Sequence, residues 1–181
     1  QKWTLFPYTT LFRSPLFPHL DGSTPDNKKA EAKLNRWEID LTSNSGSIKK
    51  EYLDEHRGEF PRLDERYSMS NYRYGIYASN DGNSSPGISF NSITRYDYKT
   101  SKKDVFSLSK YDAVEEPIFV PKSPDSNEGV GYIIALNYLG KENRSDLMIL
   151  DAENLSSGPI ARAMLPHRIP YGFHGNWRQG T

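Results

Sequence analysis

Three residues in this 181-residue chain have both the chemistry and the spacing of a metal site: Glu59, Glu116 and His174, which lie 57 and 58 residues apart. Imidazole suits a late first-row metal, and a ligating histidine needs its second ring nitrogen held by an acceptor, often a carboxylate. Two carboxylates and an imidazole that recur in step can meet at one axis if the chain folds as equal repeats. The plainer reading is that the glutamates cap turns and His174 is a buried histidine with its hydrogen bonds satisfied. Spacing alone leaves both open.

The other histidines carry weaker signals. His19 lies in a Pro-containing loop, and His56 stands in the charged turn Asp54-Glu55-His56-Arg57, where solvation is expected. His167 precedes His174 by seven residues with Pro170 between them, which excludes a regular helix and a helical zinc pair. Gly129-Val130-Gly131 lacks the third glycine and the following helix of a dinucleotide site. The chain has no Walker loop and no G-x-S-x-G elbow.

The elements that must position these residues recur with the same period. Arg36 to Leu41 (RWEIDL) alternates apolar and polar residues as a half-buried strand does, then meets the turn Ser43 to Ser47 and a second strand from Ile48. Thr94 to Tyr98 (TRYDY) meets a Lys-Thr-Ser-Lys-Lys turn and a strand at Val105 to Leu108. Leu147 to Asp151 (LMILD) meets a Ser-Ser-Gly turn and a strand at Ile160 to Leu165. Asp40, Asp97 and Asp151 head the three turns, where an aspartate can accept from the backbone two residues on. Further strands are predicted at Tyr72 to Ala78 and Gly131 to Tyr138, and two similar segments, Glu59-Phe60-Pro61 and Glu116-Pro117-Ile118, open the periods. About four strands per period of this length is the signature of a propeller blade; a sandwich gives short strands without the self-similarity. Glu59, Glu116 and His174 then fall where the innermost strand of a blade begins.

The wording of these segments resembles the carotenoid cleavage oxygenase family, which includes carotenoid, apocarotenoid and stilbene dioxygenases and the retinal pigment epithelium isomerase. The resemblance rests on RWEIDL (36–41), GEFPRLDERY (58–67), NYRYGIY (71–77), EEPIFVPK (115–122), GYIIALNY (131–138) and LMILDAENLSSGPIARAMLPHRIPYGFHGNW (147–177), in the family's order. It implies an all-β fold, the C-terminal part of a seven-bladed β-propeller: about two full blades, part of a third and a closing strand at Phe173 to Trp177. It also implies Fe(II) held by four histidines with three glutamates behind them. His174 matches the last iron ligand, and Glu59 and Glu116 match two of the glutamates; the other ligands belong to upstream blades. Phe173, beside His174, is expected to line a substrate tunnel. The implied reaction cleaves a conjugated carbon–carbon double bond of a carotenoid, apocarotenoid or stilbene with O2 to give carbonyl products. One ligand of four cannot hold iron, so the chain alone is expected to be inactive. The alternative of another class is a non-catalytic propeller that binds a ligand or protein at its axis. Upstream sequence separates the two, since the enzyme needs three more inner-strand histidines.

Composition agrees. Lys plus Arg and Asp plus Glu both number 23, so the neutral chain offers no general attraction to nucleic acid. The resemblance still admits peripheral membrane contact of the intact protein. With no cysteine there is no disulfide, thiolate metal site or Cys nucleophile, which fits a reducing compartment, cytoplasmic or plastid-like. Twelve Tyr, eight Phe, thirteen Gly and twelve Pro suit short strands joined by turns. Leu5 to Ser14 (LFPYTTLFRS) resembles the translation of a sequencing-library adapter. Residues 1–14 are therefore read as non-native, 15–34 as a loop and 35–181 as propeller blades, with the native protein expected to extend further upstream.

Overall fold

Runs rich in Val, Ile, Tyr and Phe, broken every eight to twelve residues by Asp, Asn, Ser or Gly, favour strands over helices. The computed structural model describes residues 2–5, 23, 32–40, 47–88, 90–178 and 180, and the regular structure among them is strand apart from two short 3-10 turns. No helix among the described residues is long and apolar enough to cross a membrane. The chain divides into two units, Gln1–Glu59 and Phe60–Thr181.

In the first unit β1 (Lys2–Leu5), β2 (Lys33–Asp40) and the greater part of β3 (Ile48–Leu63) form antiparallel neighbours in that order. Arg36 faces Glu51 across the β2–β3 ladder and bonds it at 2.5 Å. Trp37 and Ile39 are half-buried as predicted, but so are Arg36 and Glu38, so β2 lacks the expected contrast between faces. The turn after Asp40 and residues 6–14 lie outside the described residues.

In the second unit β4 (Tyr74–Ser79), β5 (Ser92–Asp97) and β6 (Lys102–Ser107) form an antiparallel meander. A second sheet contains β7 (Ala113–Val114), β8 (Ile118–Pro121), β9 (Gly131–Leu139), β10 (Arg144–Asp151) and β11 (Pro159–Met164). β7 and β8 both pair with β9, one after the other, and β10 and β11 follow outward. The third period thus has the predicted four-strand layout, with its innermost strand interrupted between Val114 and Ile118. The core joins the two sheets: Ile76, Ala78 and Ile93 from one, Val114, Phe119, Ile133, Ala135, Met148 and Leu150 from the other. Asp104 on β6 accepts from the amides of Leu155 (2.7 Å) and Ser156 (3.1 Å), capping a 3-10 turn beside β11.

The turn aspartates behave as predicted where they are described. Asp97 accepts from the amide of Lys99 at 2.9 Å, and Asp151 from that of Glu153 at 2.9 Å. Two expectations are corrected. Glu59 does not open a strand but lies late in the sixteen-residue β3. Phe173 to Trp177 is not a strand: the Gly175 amide is taken by the Glu116 carboxylate, and that of Gly172, just before the segment, by Glu115, instead of a neighbouring backbone.

Candidate metal centre

The site is built where the innermost strand of the second sheet breaks. Pro117 has no N–H to give to a ladder and holds the preceding residue extended. Glu115 still donates its amide to the Leu136 carbonyl, and pairing with β9 resumes at Ile118. Glu116 sits in the gap. Its side chain is 2% exposed, and a carboxylate buried so deeply needs partners.

The partners come from the C-terminal segment. Gly175 donates its amide to Glu116 Oε2 at 3.0 Å, and His174 Nδ1 faces Glu116 Oε1 at 3.4 Å. Glu115 does the same one residue earlier, accepting from the Gly172 amide at 3.0 Å. A Cβ at Gly172 would lie 2.9 Å from the other Glu115 oxygen, so a larger residue there would require the Glu115 carboxylate to shift. Two consecutive carboxylates therefore pin residues 172–175 against the sheet. The imidazole is half exposed, 55%, with its Nδ1 side turned to a buried acceptor.

Phe60 backs the ring. It is 4% exposed and stands edge-on to His174 (centroids 5.5 Å, 84°) and to Phe173 (6.4 Å, 77°). Its φ of 57° lies in the left-handed region, which is costly for a bulky residue and is tolerated where surrounding packing over-determines it. Below the segment lies an apolar cavity of about 280 Å³, lined by Ile118, Ile134, Leu136, Leu147, Phe173 and Trp177 among others, with Glu116 and His174 at its polar edge.

Arg62 is a partner that the sequence did not single out. Its Nη1 is 3.6 Å from Glu116 Oε1, and its Nη2 donates to Asn176 Oδ1 at 3.1 Å and to Glu65 Oε1 at 2.6 Å. The run Arg62-Leu63-Asp64-Glu65-Arg66 reads as a solvated charged face, and nothing in that pattern marks Arg62. Nearby Arg66 has a different task. It pairs with Asp64 through Nε (2.9 Å) and Nη2 (2.6 Å) and gives Nη1 to the carbonyls of Pro124 and Ser126. Its hydrogen bond to the Asp64 carboxylate raises its pKa above the ordinary guanidinium value.

Of the residues singled out in the sequence, the second unit brings Glu116, His174 and Phe173 together. Glu59 is half-buried in the first unit. His56 is exposed as predicted but also held, its Nδ1 2.8 Å from buried Asp54 Oδ1. His167 is exposed, and His19 lies outside the described residues. No cluster of three or more metal-ligating side chains occurs among the described residues.

Comparison with known proteins decides the family. The RPE65 family model, described as retinal pigment epithelial membrane protein, matches residues 6–179. The chain belongs to this family. It is 42% identical over 177 residues to lignostilbene-α,β-dioxygenase isozyme III of Sphingomonas paucimobilis, covering 92% of this chain and 36% of that protein. It is 34% identical to an isoeugenol monooxygenase of Pseudomonas putida, covering 90% and 35%. The crystal structure of a lignostilbene dioxygenase from Pseudomonas brassicacearum superposes with a TM-score of 0.81 at 35% identity, covering 91% of this chain and 36% of that one. A cobalt-substituted Synechocystis apocarotenoid oxygenase superposes with a TM-score of 0.79 at 26% identity, covering 91% and 35%. The chain spans about a third of the length of these RPE65-family relatives.

Proposed function

We propose that the chain is the C-terminal part of a non-haem Fe(II) oxygenase that cleaves a conjugated carbon–carbon double bond with O2, giving carbonyl products. The observation that carries this is His174 Nδ1 facing the buried carboxylate of Glu116, whose second oxygen is held by the Gly175 amide. A ligating imidazole needs this arrangement: one nitrogen bound to an acceptor, so that the other presents its lone pair in a fixed direction. The donor set fits a ferrous ion, His174 supplying one ligand and Glu116 the acceptor behind it; Glu59 is assigned the same acceptor role for an upstream ligand. Bound there, iron would supply the activation of O2.

The protein's own part is to orient and to exclude. Glu116 takes the Nδ1 proton into its hydrogen bond and keeps the ring from turning. Phe60 closes the back of the imidazole, and Phe173, half exposed beside it, is assigned to the wall of an apolar substrate path. Apolar walls with few polar groups suit a hydrophobic conjugated substrate whose position, more than its charge, must be controlled. The similarity to lignostilbene and isoeugenol oxygenases favours a phenylpropenoid-type or stilbene double bond over a long carotenoid.

The test uses the full-length protein that contains this chain. His174→Ala is expected to lose iron and cleavage together. Glu116→Gln is expected to weaken metal binding roughly 10- to 100-fold, the usual cost of removing a ligand's hydrogen-bond partner. Iron content by elemental analysis and product formation by chromatography read both effects. A His174→Ala protein with full iron content refutes the assignment.

A further inference from the structure

Arg62 is the one cation found beside the buried Glu116 carboxylate among the described residues, and it reaches a second anchor on the C-terminal segment at the same time. Its Nη1 faces Glu116 Oε1 at 3.6 Å, and Oε1 is the oxygen that faces His174 Nδ1. Its Nη2 donates to the side chain of Asn176, two residues beyond His174. Glu65 accepts from the same Nη2 and steadies the guanidinium from the solvent side. Arg62 is largely covered, 21% exposed, and lies two residues after Phe60, which supports the imidazole ring.

We propose that Arg62 is a positioning residue for the metal centre: its planar fork spans Glu116 and Asn176, and so fixes the ring of His174 against the carboxylate. This rests on the reading of His174 as a metal ligand. The competing account is that Arg62 only neutralises a buried carboxylate. The two differ in what lysine can do. Lysine keeps the charge but presents a single ammonium on a flexible stem, without two donors set at a fixed distance. Charge compensation survives Arg62→Lys; the span from Glu116 to Asn176 does not. The Coulombic effect also has the opposite sign, because removing a cation near a metal site favours binding the metal. A weaker affinity in Arg62→Gln therefore reports the geometric effect, and a tighter one the Coulombic effect.

The experiment titrates Co(II) into the metal-free full-length protein and its Arg62→Lys, Arg62→Gln and Arg66→Gln variants, following the visible d–d absorption of the bound ion. Both Arg62 variants are expected to bind Co(II) roughly tenfold more weakly, the low end of the effect of an outer partner, and at saturation to show a displaced band. Arg66→Gln, which breaks a nearby ion pair that serves the Asp64 and Ser123–Ser126 turns, is expected to lower thermal stability and leave affinity and band unchanged. Arg62→Lys with unaltered affinity and band overturns the proposal, as does tighter binding by Arg62→Gln or an equal effect of Arg66→Gln. If the unsubstituted protein binds no Co(II), it is the metal reading that fails.

Discussion

The two sheets of the second unit are built from similar sequence but buried differently. In the first, β4 and β5 are covered on both faces: Ile76 to Ser79 and Ser92 to Thr94 are all buried. In the second, β9 alternates strictly, with Ile133, Ala135 and Asn137 buried and Ile134 and Leu136 half-covered. Alternation is what one packed face produces, and an unbroken buried run is what two packed faces produce. The half-covered face of β9 and β10 is the wall of the cavity beneath His174. The first sheet is therefore framework, while the second combines a framework face with a face that serves the site.

Truncations on matching positions break this contrast if it is wrong. Ile93→Ala and Ile133→Ala remove fully buried side chains from β5 and β9. Each is expected to cost about 2–5 kcal/mol, the usual range for such a deletion in a packed core, read from urea unfolding midpoints. Leu136→Ala, on the other face of β9, is expected to cost only about 1 kcal/mol, because the side chain is half-covered and opens onto existing space. Equal losses for Ile133→Ala and Leu136→Ala would show both faces of β9 to be packed alike.

The sequence carried the strands and turns well because their causes are local. Alternation placed β9 within one residue of its observed ends and found the end of β10 at Asp151, though β10 begins three residues before the predicted Leu147, and Asp97 and Asp151 do cap their turns. The period also brought out Glu116 and His174, which the fold puts side by side. What was not legible depends on contacts between distant segments. Arg62 gains its role from Asn176, 114 residues away, and in its own run looks like any solvated arginine. The segment 173–177 was expected to close as a strand, but strand geometry needs a partner, and the carboxylates of Glu115 and Glu116 take the amides of Gly172 and Gly175 instead. The left-handed Phe60 was hidden for the same reason: no local pattern asks a phenylalanine to adopt φ 57°.

The smallest expected effect separates the turns that close the two sheets. Asp97 receives the fork of Arg73 through Nε (2.9 Å) and Nη2 (2.7 Å), together with the Lys99 amide and the Thr100 hydroxyl at 2.8 Å. The Arg73 hydrogen bonds, helped by those of the turn, hold the Asp97 carboxyl well below the usual aspartate range, against the opposing effect of burial. The unfolded chain therefore binds a proton at Asp97 more readily than the folded one, and stability rises with pH wherever that difference exists. The contribution is complete above the ordinary aspartate value of about 3.9 and is lost as pH falls from there through the lowered folded value. Asp97→Asn should flatten the decline of stability below about pH 4 and lower the urea midpoint slightly at neutral pH, since the amide can cap the turn but offers the arginine no charge. Asp151→Asn, whose described turn bond is the one from the Glu153 amide, should shift the neutral midpoint by less than about 0.5 kcal/mol, as surface substitutions generally do. An acid-unfolding profile unchanged by Asp97→Asn would mean that the Arg73 pair adds nothing to the first sheet, and the two turns would then be equivalent.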